Sequence, residues 1–203
     1  MINIQNLGNL RDYSEIFQKM KEFTANRDEN TPDELWFLEH NHVFTQGKAG
    51  KPEHVLNPGN VPIIQTDRGG QVTYHGPGQL IIYPLIDLRR KKLGAKQFVY
   101  LLEKTVIDTL ENFAITAITH ENAPGVYVDN TKICSIGLRI HKHCTYHGLA
   151  LNIYTDLHYF ARINPCGYKN LALCNISDFI KSIKITDVED KITENFLKNF
   201  AYE

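Results

Sequence analysis

Apolar positions along the chain follow two periods, and each change of period marks an element. Ile16, Phe17, Met20 and Phe23 recur at helical spacing and predict an amphipathic helix over roughly residues 11–25. A broader stripe of Phe98, Leu101, Leu102, Thr105, Val106, Leu110 and Phe113 predicts a second helix between Gly94 and a strand-like run at 115–118. Val188, Ile192, Phe196 and Phe200 form a third stripe near the carboxyl end. Between the helices, β-type runs rich in branched and aromatic residues occupy 35–38, 61–65, 71–74, 79–86, 125–128, 132–140 and 146–153. The gaps between 125 and 153 are too short for crossover helices, so these strands pair antiparallel. The expected fold is α/β of the α+β kind: a mixed, largely antiparallel sheet flanked by helices.

Composition narrows the class. A chain of 203 residues, 42% of them hydrophobic, can bury one sizeable core, which predicts a single catalytic domain over 1–203. A formal net charge of -1 argues against a general nucleic-acid binder, so any basic surface must be local. The start of the chain has no secretory pattern, and no apolar run is long enough for a bilayer. A soluble, cytoplasmic protein with no membrane partner is expected. In that compartment Cys134, Cys144, Cys166 and Cys174 are free thiols or ligands rather than a disulfide framework.

Four segments carry candidate chemistry. Cys166 stands between Pro165 and Gly167, where no regular element can run through, and a turn of that kind displays a nucleophile. The segment Arg68-Gly69-Gly70-Gln71-Val72-Thr73-Tyr74-His75-Gly76-Pro77-Gly78-Gln79 is dense in glycine. It reads either as a loop that brings backbone close to a ligand or as a pair of tight turns in a meander, and it fits neither a phosphate loop nor a dinucleotide fingerprint. Asp129-Asn130 reads as a hairpin turn, so Lys132 opens the returning strand. Strict alternation puts Lys132, Cys134, Ile136 and Leu138 on one face and Ile133, Ser135 and Gly137 on the other. Lys132 is then either a desolvated amine available as a base or an ordinary hairpin-end lysine. Finally, His141, His143, Cys144 and His147 invite a metal reading, but on a strand Cys144 points away from the histidines and no second ligand cluster exists, so no metal is expected.

Taken together, these blocks resemble the lipoate-protein ligase B family. The resemblance rests on Arg68 to Leu80, on Pro124-Gly125-Val126-Tyr127-Val128 with Lys132-Ile133 and Ser135-Ile136-Gly137, on Tyr146-His147-Gly148-Leu149-Ala150-Leu151-Asn152, and on Asn164-Pro165-Cys166-Gly167. It runs from about Glu34 to Gly167 and includes Glu39-His40. Tyr127 stands where many members carry Trp, and residues 171–176 depart from the family pattern. The resemblance implies the fold of a biotin/lipoate ligase catalytic domain and an octanoyltransferase activity without ATP or any other cofactor. The donor would be octanoyl-acyl carrier protein, and the acceptors would be apo lipoyl domains of 2-oxoacid dehydrogenases and the glycine cleavage H protein. By the same resemblance Cys166 would form an octanoyl thioester and Lys132 would move the protons. Arg68, Gly69, Gly70, Gln71, Val72, Thr73, Tyr74, His75, Ser135, Ile136, Gly137, Gly148, Leu149 and Ala150 would border the acyl site, with His147 behind them. An ATP-dependent lipoate- or biotin-type ligase is the rival reading, and it would have no use for Cys166. Arg89-Arg90-Lys91-Lys92 with Lys96, and Arg139 with Lys142, are either docking surfaces for acidic partners or ordinary solvated charge.

Overall fold

The computed structural model describes residues 1–202 other than Asn122 and 168–170; the side chain of Cys166 also lies outside the described residues. The chain runs β1 (Ile2–Asn6), α1 (Tyr13–Asn26), β2 (Asp33–Leu38), β3 (Val43–Gln46), β4 (Ile63–Gln65), β5 (Val72–His75), β6 (Gln79–Leu85), α2 (Ala95–Asn112), β7 (Ile118–His120), β8 (Ala123–Val128), β9 (Thr131–His141), β10 (Cys144–Asn152) and α3 (Ile185–Asn199). Seven strands form one sheet in the order β1-β2-β6-β10-β9-β8-β7, and β4-β3-β5 form a second. Within the large sheet β1 and β2 pair parallel and the other neighbours antiparallel, as the short gaps between β7, β8, β9 and β10 require of those four.

The continuous apolar run of β6 follows from its place at the centre of the sheet, where every residue is buried. Leu80 and Ile82 join Leu35, Phe37, Leu149 and Leu151 in the core beneath α2 and α3. The alternate positions Ile81, Tyr83 and Leu85 pack with Trp36 and Leu38 against Ile16 and Met20 of α1. A third apolar cluster of Phe44, Val72, Tyr74, Phe160 and Ile163 seats the small sheet. The three predicted helices form within a few residues of their expected limits. The short strands β1 and β3 were not expected, because five and four residues respectively carry too little pattern to distinguish from loop.

Pro84 sits in the middle of this sheet without an N–H to give to a ladder. The pairing of β6 with β10 runs from Asn152↔Gln79 to Leu149↔Ile82 and stops there. Beyond it the Thr145 hydroxyl takes over, donating to Pro84 O at 2.6 Å and accepting from Ile86 N–H at 3.0 Å. In the same stretch His147 adopts a φ of +57°, and Gly148 passes so close to β6 that a Cβ there would lie 2.0 Å from Ile82 O.

The basic stretch after β6 is largely occupied inside the molecule. Arg89 donates to both carboxylate oxygens of Asp87, at 3.1 and 2.7 Å. Arg90 donates to the carbonyls of Thr31, Asp28 and Glu29. Lys91 reaches the carbonyls of Phe200 and Ala201 and lies 3.3 Å from the Tyr202 ring centroid. Arg90 and Lys91 thus tie the 28–31 turn and the chain's last residues to the sheet. Lys142, by contrast, is exposed at the β9–β10 tip.

Replacing Gly148 by Ala forces backbone apart at the sheet centre. The variant should lose on the order of 1–3 kcal/mol of stability, lowering the thermal midpoint by several degrees in calorimetry. An unchanged midpoint would mean that β6 and β10 can separate freely at this point.

Candidate active site

A cavity of about 360 Å³ opens between the large sheet, the small sheet and the start of α1. Its lining contains Arg68 to Thr73 and His75, Lys132 and Ser135 to Leu138 from β9, and His147 to Ala150 from β10. Fifteen of the residues expected at the site therefore meet here: Arg68, Gly69, Gly70, Gln71, Val72, Thr73, His75, Lys132, Ser135, Ile136, Gly137, His147, Gly148, Leu149 and Ala150. Tyr74 does not join them. It points from the other face of β5 into the third apolar cluster, stacked on Tyr159 at 4.8 Å and sharing a hydrogen bond of 2.7 Å with His42 Nδ1. The cavity also takes Pro124, from a block that carries the resemblance, and Tyr13, Tyr83, Val99 and Ala123, which gave no local sign of chemistry.

Lys132 is 2% exposed, so the desolvated alternative holds and the solvated one fails. Its Nζ donates to Pro124 O at 3.1 Å and lies 5.1 Å from the centroid of the Tyr127 ring. The expected alternation in β9 breaks at this point. Gly125 pairs with Ser135 and Val126 with Cys134, but Tyr127 pairs with Lys132, so β9 carries one extra residue opposite β8. A slip of one residue exchanges the faces of a strand. Lys132 thereby lines the cavity with Ser135 and Gly137, while Cys134 packs into the core under α2, where burial pushes its thiol up to about 12. The predicted shared face of Lys132 and Cys134 is corrected by this bulge. The backbone of Lys132 is held on its other side: its N–H donates to Ala172 O at 2.9 Å, and its carbonyl accepts from Cys174 N–H at 3.1 Å.

The glycine-rich segment is a cavity wall rather than a plain pair of turns. Arg68 is buried and donates through Nη2 to Thr45 O at 2.6 Å and through Nη1 to Gly69 O at 2.9 Å, tying the loop to β3. Gly69 N–H donates to Leu138 O at 2.9 Å, which ties the same loop to β9. Gly70 has φ +86°, open to glycine at little cost. Gly47, which would carry a Cβ 2.4 Å from Gly70 O, lets the two loops lie backbone to backbone.

Beneath the cavity lies a buried relay of rings. His147 Nε2 is 2.9 Å from Asp67 Oδ1, and Tyr146 donates its hydroxyl to Asp67 Oδ2. An ionised carboxylate only accepts, so Nε2 carries the proton and Nδ1 accepts from the Tyr13 hydroxyl at 3.4 Å. His40 Nδ1 donates to Arg11 O at 3.1 Å, which leaves its Nε2 to accept from the Tyr83 hydroxyl at 2.9 Å. His75 spans Gln79 Oε1 at 2.8 Å and Thr45 Oγ1 at 3.3 Å. Burial holds all three imidazoles below their ordinary range: His40 falls to about 4, His75 well below its usual value, and His147 is lowered although Asp67 opposes the shift. Burial works to raise Asp67, but hydrogen bonds from His147 and Tyr146 outweigh it and bring the carboxyl down to about 2. Asp67 stands one residue before the glycine-rich segment, where only its adjacency could have flagged it.

His141 and His143 are exposed at the hairpin tip, whereas His147 is buried at the cavity, so this cluster does not converge. The thiol of Cys166 lies outside the described residues. Its backbone forms a short 3-10 turn, Pro165–Gly167, that ends on Gly167 at φ +78°. A Cβ on Gly167 would lie 3.4 Å from Cγ of the cavity residue Gln71, so this turn abuts the cavity wall.

Two outcomes check this electrostatic picture. Burial holds the three imidazoles below the value near 6.5 that they have when unfolded, so their contribution is present above that pH and is lost as pH falls, for His40 down to about 4. Urea unfolding between pH 7 and 5 should show stability dropping with a slope that steepens below pH 6.5 towards a limit of about 1.4 kcal/mol per pH unit for each imidazole involved. A flat profile contradicts neutral burial. Asp67→Asn removes the charge that supports protonated His147 and opposes ionised Tyr146. In an NMR titration the His147 midpoint should fall further, and the Tyr146 midpoint should move down from about 12.

Comparison with known proteins places the chain in a family. Residues 12–197 match the family described as the lipoyl protein ligase A/B catalytic domain. An octanoyltransferase of Coxiella burnetii (strain RSA 493 / Nine Mile phase I) is 55% identical over 199 residues, covering 98% of this chain and 82% of that protein. One from Legionella pneumophila (strain Paris) is 53% identical, covering 97% of this chain and 98% of its own length. Among solved structures, a bipartite lipoate protein ligase with its E2 lipoyl domain from Thermoplasma acidophilum superposes with TM-score 0.79 at 15% identity, covering 98% of this chain and 83% of that one. Lipoate-protein ligase A bound with ATP gives TM-score 0.78 at 14% identity, covering 98% and 85%. At such identity these two establish the shared fold alone, while the long, close matches to octanoyltransferases establish kinship: the chain belongs to the lipoyl protein ligase A/B catalytic domain family, on its lipoate-protein ligase B branch of octanoyltransferases.

Proposed function

We propose that this acyltransferase moves an octanoyl group from octanoyl-acyl carrier protein to the ε-amine of a lysine on apo lipoyl domains, including those of 2-oxoacid dehydrogenases and the glycine cleavage H protein, through a thioester on Cys166. The observation that carries the reading is the mostly apolar cavity with Lys132 buried in its wall and the Cys166 turn packed beside Gln71. Small residues at Gly137, Gly148 and Ala150 leave room along the wall, and burying an acyl chain there is worth roughly 0.8 kcal/mol per methylene.

In the first step Lys132 takes the Cys166 proton and its charge stabilises the thiolate. The sulfur attacks the donor's thioester carbonyl, the bond to the carrier's sulfur breaks, and the leaving thiolate recovers the proton from Lys132. In the second step the acceptor amine attacks the enzyme thioester, the bond to Cys166 sulfur breaks, and Lys132 passes the proton shed by the amine to the departing thiolate. Each half exchanges one activated acyl bond, so ATP is not required. An ATP-dependent ligase would have the same fold, but the near relatives bearing the octanoyltransferase name favour transfer from a thioester.

Intact mass of the protein mixed with octanoyl-acyl carrier protein should increase by one octanoyl group, and an apo lipoyl domain should remove it. Cys166→Ser should gain nothing, and Lys132→Ala should acylate at least a hundredfold more slowly, within the usual range for a general base. Octanoylation of the lipoyl domain without any acyl-enzyme would replace the two-step route by direct transfer. Acylation that depends on ATP and free acid would establish the ligase reading instead.

A further inference from the structure

Glu103 lies on α2, outside the cavity lining, and yet it reaches the catalytic wall. Its Oε1 accepts from the backbone N–H of Gly125 at 3.0 Å. The carbonyl of that same peptide group, Pro124 O, accepts from Lys132 Nζ at 3.1 Å. In a planar trans peptide the N–H and C=O point in opposite directions, so one dipole stands between the carboxylate and the amine, aligned with both. A carboxylate on the N–H polarises the group and adds negative charge to its oxygen, which strengthens the bond at the far end.

Gly125 is what permits this arrangement. Its φ of +133° suits glycine, and a Cβ would lie 2.5 Å from Cys134 O and 3.3 Å from Lys132 Nζ. Among the described residues, neighbouring groups bear on the charge of the amine in known ways. The Tyr127 ring face from β8 favours a cation. Cys134 on β9, whose thiol feels the Lys132 charge, is kept as a neutral thiol by burial and adds no charge of its own. Glu103 supplies the anionic end of the line.

The geometry points to Glu103 as a positioning residue for Lys132, acting through the 124–125 peptide to fix Nζ and to favour its charged form. Its place in catalysis rests on the reading of Lys132 as the proton-transfer group; its hold on Lys132 does not. Glu103→Gln keeps an acceptor oxygen of the same reach and removes the charge, and Glu103→Asp keeps the charge with a shorter reach. With the full chain selectively labelled at lysine Cε, the Lys132 resonance, assigned by its loss in Lys132→Arg, should titrate about one pH unit lower in Glu103→Gln than in wild type. Thermal unfolding should be nearly unchanged, and Glu103→Asp should recover part of the shift. The ascending limb of the pH profile for acyl-enzyme formation should move down by the same amount. An unmoved Lys132 midpoint overturns the role of Glu103 whatever the activity does. A moved midpoint with an unmoved pH profile upholds Glu103's grip on Lys132 and removes Lys132 from the chemistry.

Discussion

The close passage of β10 over β6 is the constraint on which the rest of the site depends. At the centre of the large sheet Gly148 comes within a side chain's width of Ile82 and Pro84, a distance no other residue tolerates. Pro84 cannot extend the ladder, and the strand answers with the Thr145 hydroxyl as a substitute donor and acceptor. In the same few residues His147 takes up a left-handed conformation, uncommon for a residue with a side chain, and turns its ring towards Asp67 and the cavity. Sheet packing and site geometry are thus settled by one stretch of backbone.

The cavity is built by opposing two kinds of surface. One wall comes from small and aliphatic residues of β9 and β10, whereas the base holds imidazoles, phenols and one carboxylate with fixed hydrogen bonds. Burial keeps the imidazoles neutral, so their polarity is expended on each other and on Asp67 rather than on bulk water. Arg68 closes the arrangement by joining the small sheet to the loop that lies on β9. A wall held from both sheets has little freedom to adapt, which suits recognition of one reacting group at a fixed place.

Solved ligases at about 15% identity share the fold, and octanoyltransferases at above 50% match nearly the whole of this chain. The sheet and its helices are therefore a frame held in common with the solved ligases, and what such a frame does depends on the side chains it carries. The bulge in β9 illustrates how much one residue counts. Without it Lys132 would face away from Ser135, and the amine would be lost to the core.

The elements themselves were legible in the chain, because period and branching report burial directly. The three helices and the long strands β6, β9 and β10 follow from the apolar pattern, and the Lys132, His147 and Cys166 blocks stand out by their glycine, proline and polar residues. Short strands such as β1 and β3 were not legible, since a handful of residues sets no period. Nor were Tyr13, Tyr83 and Glu103, ordinary members of helices or a core strand whose importance comes from neighbours distant in sequence. The facing of Lys132 was read wrongly as shared with Cys134, because alternation assumes an uninterrupted ladder and a bulge is decided by the partner strand. The sequence by itself determined which segments are helix, strand and turn and which side chains carry chemistry, since those follow from local sterics and hydrophobic period. Tertiary structure alone decided which of them meet, since the register between strands, the approach of helices and the desolvation of a charge are properties of pairs of segments rather than of any one.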